Sequence, residues 1–183
     1  MRFSHAVGAA ILVLSAAAPA RAEDRLSVFA SAREINASAT RACAAVTLRA
    51  ATFESVVDVG EWTSVRPKAS GSKIATHAWR SRTLNTTYLT RLPNGGCSFS
   101  IDDGEAKALR AQAMEFLGAM ATFTPVRQEQ TRGGAATRYA YCTAGPYPVV
   151  ATMVVGTADS KPRFVFNLFK ASTPKPGFCD SAI

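Results

Sequence analysis

The chain reads as an α+β protein: an antiparallel sheet of about six or seven strands, with N-terminal helices and one long amphipathic helix packed on one face, held by two disulfides. Three observations predict this. Apolar periodicity comes in blocks, with helical spacing first, then three strand-like segments, a helical stripe, and four more strand-like segments. The stripe from Ala106 to Met120 is apolar on one side only, and a sheet is the one surface broad enough to cover it. Four cysteines, Cys43, Cys97, Cys142 and Cys179, are spread through the chain.

Residues 1–22 read as a cleaved signal peptide. A cationic start at Arg2 precedes an apolar run from Ala6 to Ala18, and small residues at Ala20 and Ala22 form the A-x-A pattern of a signal-peptidase site. The run is shorter than the about 20 apolar residues a spanning helix needs. The first cysteine is Cys43, so lipid attachment at a new N-terminal Cys is not expected, and no twin-Arg pair is present. The mature chain, 23–183, is expected to be one soluble domain with an irregular tail over 172–183, periplasmic or secreted, without a transmembrane segment. The style of the signal points to a bacterial setting.

From Ser27 to Ala50 apolar residues recur at steps of three and four (Val28, Ala32, Ile35, Ala39, Cys43, Val46), which predicts a helix with a break near Asn36-Ala37-Ser38. Phe53 to Val59 fits a short helix ending at Gly60, the preferred reading, and its β-branched valines fit a strand as well; a loop from Pro67 to Ser72 follows. Lys73–Arg80, Thr86–Leu92 and Cys97–Ile101 are the first strands. The turn Pro93-Asn94-Gly95-Gly96 joins the last two, because Asn-Gly and Gly-Gly accept positive φ. Asp102 or Asp103 is placed as the cap of the amphipathic helix, with Glu105 completing a capping box from Asp102. Pro125 marks the end of that helix. The final third holds strands at Val126–Gln130, Ala136–Cys142, Val149–Val155 and Arg163–Lys170. Gly133-Gly134 turns the first pair, and the last two are near-continuous apolar runs expected in the middle of the sheet, covered on both faces.

An even cysteine count in an exported chain implies two disulfides. Four cysteines allow three pairings and the sequence leaves the choice open, with Cys43–Cys97 and Cys142–Cys179 preferred. Zinc and thioredoxin-like redox sites both want close Cys pairs, and these cysteines lie tens of residues apart. No metal and no cofactor are expected.

Chemistry-bearing motifs are sparse. His77 is the one histidine of the mature chain, in a predicted strand with no acid near it in sequence. Asp102, Asp103 and Glu105 form a tight acid cluster that helix capping accounts for. No G-x-S-x-G nucleophile turn occurs, and the Gly-Gly pairs lie in hairpin turns rather than a phosphate loop.

Charge is the remaining signal. The formal net charge of +8 falls to about +6 without Arg2 and Arg21. Between Glu61 and Asp102 there is no acid, while Arg66, Lys68, Lys73, Arg80, Arg82 and Arg91 all fall there. Arg80 and Arg82, two apart, share a strand face. With Arg91 and Lys73 they are the candidate anion-binding residues, since the planar guanidinium matches carboxylate and phosphate. The plainer reading of the same residues is a solvated basic face. Nucleic acid is not expected as a partner. The expected function is therefore non-catalytic binding of an anionic envelope polymer or protein. Two alternatives stand beside it: a periplasmic hydrolase using His77 or the Asp102/Asp103 pair, and a structural subunit of an envelope assembly, which an exposed apolar patch would mark.

Overall fold

The computed structural model describes residues 20–131, 133–174 and 177–180, with side chains described from Ser31 onward and that of residue 178 excepted. The signal reading rests mainly on 1–19, outside the described residues, as do parts of the Gly-Gly hairpin (132) and of the tail (175–176 and 181–183).

Among the described residues three α-helices and one sheet build the fold. Helix α1 spans Ala20–Arg49, α2 is the short Phe53–Val56, and α3 spans Ala106–Gly118. The strands are β1 Trp62–Val65, β2 His77–Ser81, β3 Tyr88–Arg91, β4 Cys97–Ile101, β5 Thr124–Gln130, β6 Ala136–Cys142, β7 Val149–Gly156 and β8 Phe164–Lys170. They form a single eight-stranded sheet in the order β1-β2-β3-β4-β8-β7-β6-β5, antiparallel at every pairing. Two four-stranded meanders thus meet at β4 and β8. After β4 the chain passes through α3 to the far edge, and β5 to β8 step back to the centre.

The two-residue period of each strand divides the sheet into two faces. Phe99 of β4 pairs with Phe166 of β8, and Phe166 with Met153 of β7. These side chains share one core with Ala32, Ile35 and Ala39 of α1 and with Leu109, Ala113 and Leu117 of α3. Phe99 stacks on Phe166 at 5.0 Å between ring centroids and tilts against Phe164 at 6.1 Å. Each such fully buried side chain contributes roughly 2–3 kcal/mol of hydrophobic stabilisation. A smaller second cluster, Val126, Ala140, Cys142 and Val150, lies on the opposite face, with Phe169 and Cys179 against it. The disulfides follow the same division. Cys43–Cys97 ties α1 to β4 in the main core, and Cys142–Cys179 ties the tail to β6 beside the second cluster. No helix of the described residues is long and apolar enough to cross a membrane.

Several elements differ from the sequence reading. The sheet has eight strands because Trp62–Val65 pairs with β2 as an edge strand; four residues are too few to display a period, and only Trp62 is fully buried. Helix α1 is unbroken at Asn36-Ala37-Ser38. Asn36 is completely buried there, its Nδ2 donating to Leu109 O (3.0 Å) and to Gln112 Oε1 (2.8 Å) of α3, while Ser38 Oγ accepts from Trp62 Nε1 at 3.1 Å. The polar residues that suggested a break serve as cross-links instead. Lys73–Thr76 is irregular, and β2 begins only at His77, with Ile74 exposed. Pro125 lies inside β5, an edge strand, where its missing N–H breaks no interior ladder.

The start of α3 is also corrected. Glu105, not Asp102 or Asp103, is the N-cap: its carboxylate accepts from Lys107 N at 3.1 Å and Ala108 N at 2.7 Å. The chain turns into it through Gly104 at φ 88°, where a Cβ would lie 2.9 Å from Ala32 Cβ. Only glycine allows both that backbone and that close approach of α1. Strands β7 and β8 are interior, as their apolar runs imply, but their second face is only partly sealed, at Val150 by the smaller cluster. Val154 and Val165, on the face away from the helices, are half-buried.

Candidate functional site

The predicted basic cluster is divided by the sheet. Arg80 pairs across strands with Tyr88, on the face opposite Trp79, whose ring is buried and stacked on Phe53 at 5.0 Å. Arg91 pairs with His77 and Cys97, on the helix side. Arg80 and Arg91 therefore cannot contact one ligand through the sheet. Arg82 extends the β1–β2 ladder one step, its N–H donating to Glu61 O at 2.8 Å, so the strand period puts it on the Arg80 face. Lys73 is exposed in the irregular segment before β2.

The stretch that lacks acid in sequence does not lack it in space, because Glu61 lies beside Arg82. Its carboxylate accepts from Ser81 Oγ, from Thr83 N at 3.3 Å and from Thr83 Oγ1 at 2.8 Å, and so serves hydroxyl and amide donors rather than a guanidinium. Among the described residues both ion pairs involve Glu129, with Arg127 at 2.8 Å and Arg138 at 3.9 Å, at the far end of the sheet. Arg66, Lys68, Lys73, Arg80 and Arg82 are all exposed, and no carboxylate among the described residues pairs with them.

His77 is exposed, 6.1 Å from the Trp79 ring by centroids, with Nδ1 3.4 Å from Thr76 Oγ1. No carboxylate among the described residues reaches it, so nothing there orients it as a base. Asp102 and Asp103 are half-buried in the turn before α3 and form no ion pair among the described residues. No three His, Cys, Asp or Glu side chains among the described residues gather as a metal site. Among the described residues the large apolar side chains that are exposed, Val59, Ile74 and Tyr147, belong to three separate connecting segments.

Sequence reasoning missed a second concentration of charge, between α3 and β6. Arg110 of α3 lies over the ring of Tyr139, with its guanidinium carbon 4.3 Å from the centroid, and donates to Tyr141 Oη. Toward the N-terminus of α3, Tyr139 also lines an open pocket of about 500 Å³ with Glu105, Lys107, Val155, Ala158 and Arg163. Arg163, just before β8, donates from Nη1 to Gly104 O at 3.4 Å, while its Nε, closed to solvent, has no partner among the described residues. The sequence carries no signal for this arrangement, since residues 104, 139 and 163 meet only through the α3 crossover.

No protein-family model, curated protein or solved structure matches the chain.

Proposed function

We propose that this chain is an exported, non-catalytic binding protein that presents a basic surface to an anionic envelope polymer or protein. One observation carries the reading: among the described residues the exposed cations around β1, β2 and the turn at Pro67–Ser70 have no paired carboxylate, whereas Arg127 and Arg138 at the opposite edge of the sheet share Glu129. Unpaired guanidinium groups on a solvent-facing sheet surface attract multivalent anions at long range and dock carboxylate or phosphate in parallel hydrogen bonds. Arg80 and Arg82 form the centre of this surface; Arg91, on the other face, is not part of it. Export is supported by the A-x-A segment and by the two disulfides, which oxidising compartments sustain.

Retention of the oxidised protein on immobilised poly-L-glutamate at low salt tests the proposal. Elution is expected at a defined salt concentration that drops when Arg80 and Arg82 become Glu. Equal elution of the two proteins contradicts the assigned surface.

A further inference from the structure

We propose that the pocket at the start of α3 binds a small organic monocarboxylate with an apolar body. The site lies on the β6–β7–β8 half of the sheet, apart from Arg80 and Arg82, so the two proposals stand or fall separately.

Arg163 sets the polarity of the pocket. It is half-buried, no carboxylate pairs with it among the described residues, and its guanidinium makes one hydrogen bond there, to Gly104 O, which is long at 3.4 Å. A guanidinium has five N–H donors, so most of this group's hydrogen-bonding capacity is unused. Withdrawing such a donor from water without an acceptor is unfavourable, and a carboxylate oxygen is its best match.

The charge count selects a monoanion. Arg163 and Lys107 are cationic and Glu105 is anionic, which leaves one net positive charge on the lining. Glu105 already accepts the amides of Lys107 and Ala108, so the end of the helix offers those two donors to no ligand. A doubly charged phosphate would also face the Glu105 carboxylate.

The remaining wall is largely apolar, with Thr137, Tyr139 and Thr157 supplying its other polar side-chain groups. Val155 is buried, Ala106 and Ala158 flank the opening, and Arg110 fixes the Tyr139 ring from the helix side. A volume of about 500 Å³ falls within the range of small-molecule sites. A compact hydrocarbon or aromatic body fills it with the acid group directed to Arg163.

The probe is 4-phenylbutyrate, titrated into the oxidised, ¹⁵N-labelled protein, with its uncharged methyl ester and inorganic phosphate as comparisons. Saturable amide shifts at Gly104, Ala106, Gly156 and Arg163 are expected for the acid, with binding roughly tenfold weaker for the ester and for Arg163→Met. Because Arg163 also holds Gly104, a second variant is needed. Lys107 is exposed, and Lys107→Glu reverses the net charge of the lining without touching the core, so it too weakens the acid severalfold. Acid and ester titrating alike, phosphate binding more tightly than the acid, shifts unchanged in both variants, or no saturation at millimolar probe would each overturn the proposal.

Discussion

Arg80 and Arg91 stand on opposite faces of the sheet: Arg80 is paired with Tyr88, and Arg91, three residues after Tyr88, is paired with His77. The acid-free stretch from Arg80 to Arg91 therefore supplies two different surfaces. Arg91→Glu is expected to leave poly-L-glutamate binding within about twofold of the parent, the scale of an unrelated surface change. Isothermal titration measures it, and a loss as large as that of the Arg80 and Arg82 variant would place Arg91 on the binding surface after all.

Glu105, rather than the aspartates before it, secures the start of α3. Glu105→Ala removes the acceptor of two helix N–H groups and is expected to cost about 1 kcal/mol. Asp102→Ala and Asp103→Ala are expected within about 0.5 kcal/mol of the parent. Urea unfolding of the three variants distinguishes the caps; a larger loss at Asp102 than at Glu105 would reverse the assignment.

Asn36 joins the two long helices through Leu109 O and Gln112, and its own Oδ1 has no partner among the described residues. Asn36→Ala leaves the Leu109 and Gln112 acceptors without that donor and is expected to lose roughly 1–3 kcal/mol. Asn36→Asp places a carboxylate against the Leu109 carbonyl in a fully buried site and should lose more at neutral pH. Thermal or urea melts that rank Asp above Ala in stability would contradict this contact.

The two disulfides close loops of similar span, 54 and 37 residues in sequence separation, so loop entropy alone assigns each about 4 kcal/mol. Their surroundings differ. Cys43 and Cys97 are fully buried in the core between α1 and β4, whereas Cys179 is half-buried at the end of the tail. Replacing Cys43 and Cys97 by Ala therefore adds a cavity to the lost constraint, and is expected to destabilise more than Cys142→Ala with Cys179→Ala. Paired unfolding curves read the difference, and equal losses would show that packing around Cys43 relaxes fully.

Much of this architecture was legible in the sequence, where the local pattern and the tertiary demand agree. In β4, Cys97, Phe99 and Ile101 alternate with Ser98 and Ser100, and the structure buries the first set. In α3, Leu109, Ala113 and Leu117 are buried as their spacing implies. The failures share a cause. Trp62–Val65 is a strand only because β2 lies beside it, and Ile74 lacks a strand because nothing pairs across from it. Asn36 looks like a helix breaker until α3 supplies its acceptors. The basic residues could be counted in the sequence, but their division between faces depends on register, as does the meeting of Arg163 with Gly104 and Tyr139.

The most direct measurement compares two charge-matched variants for binding to poly-L-glutamate by isothermal titration over a range of salt. Arg80→Glu with Arg82→Glu changes the surface proposed to bind; Lys161→Glu with Lys170→Glu makes the same change in net charge at exposed positions on the β7–β8 hairpin turn and the end of β8. A local binding surface predicts roughly tenfold weaker binding and a shallower salt dependence for the first pair, with the second close to the parent. Equal weakening in both would show that net charge alone attracts the polymer, and would contradict a binding surface at Arg80 and Arg82.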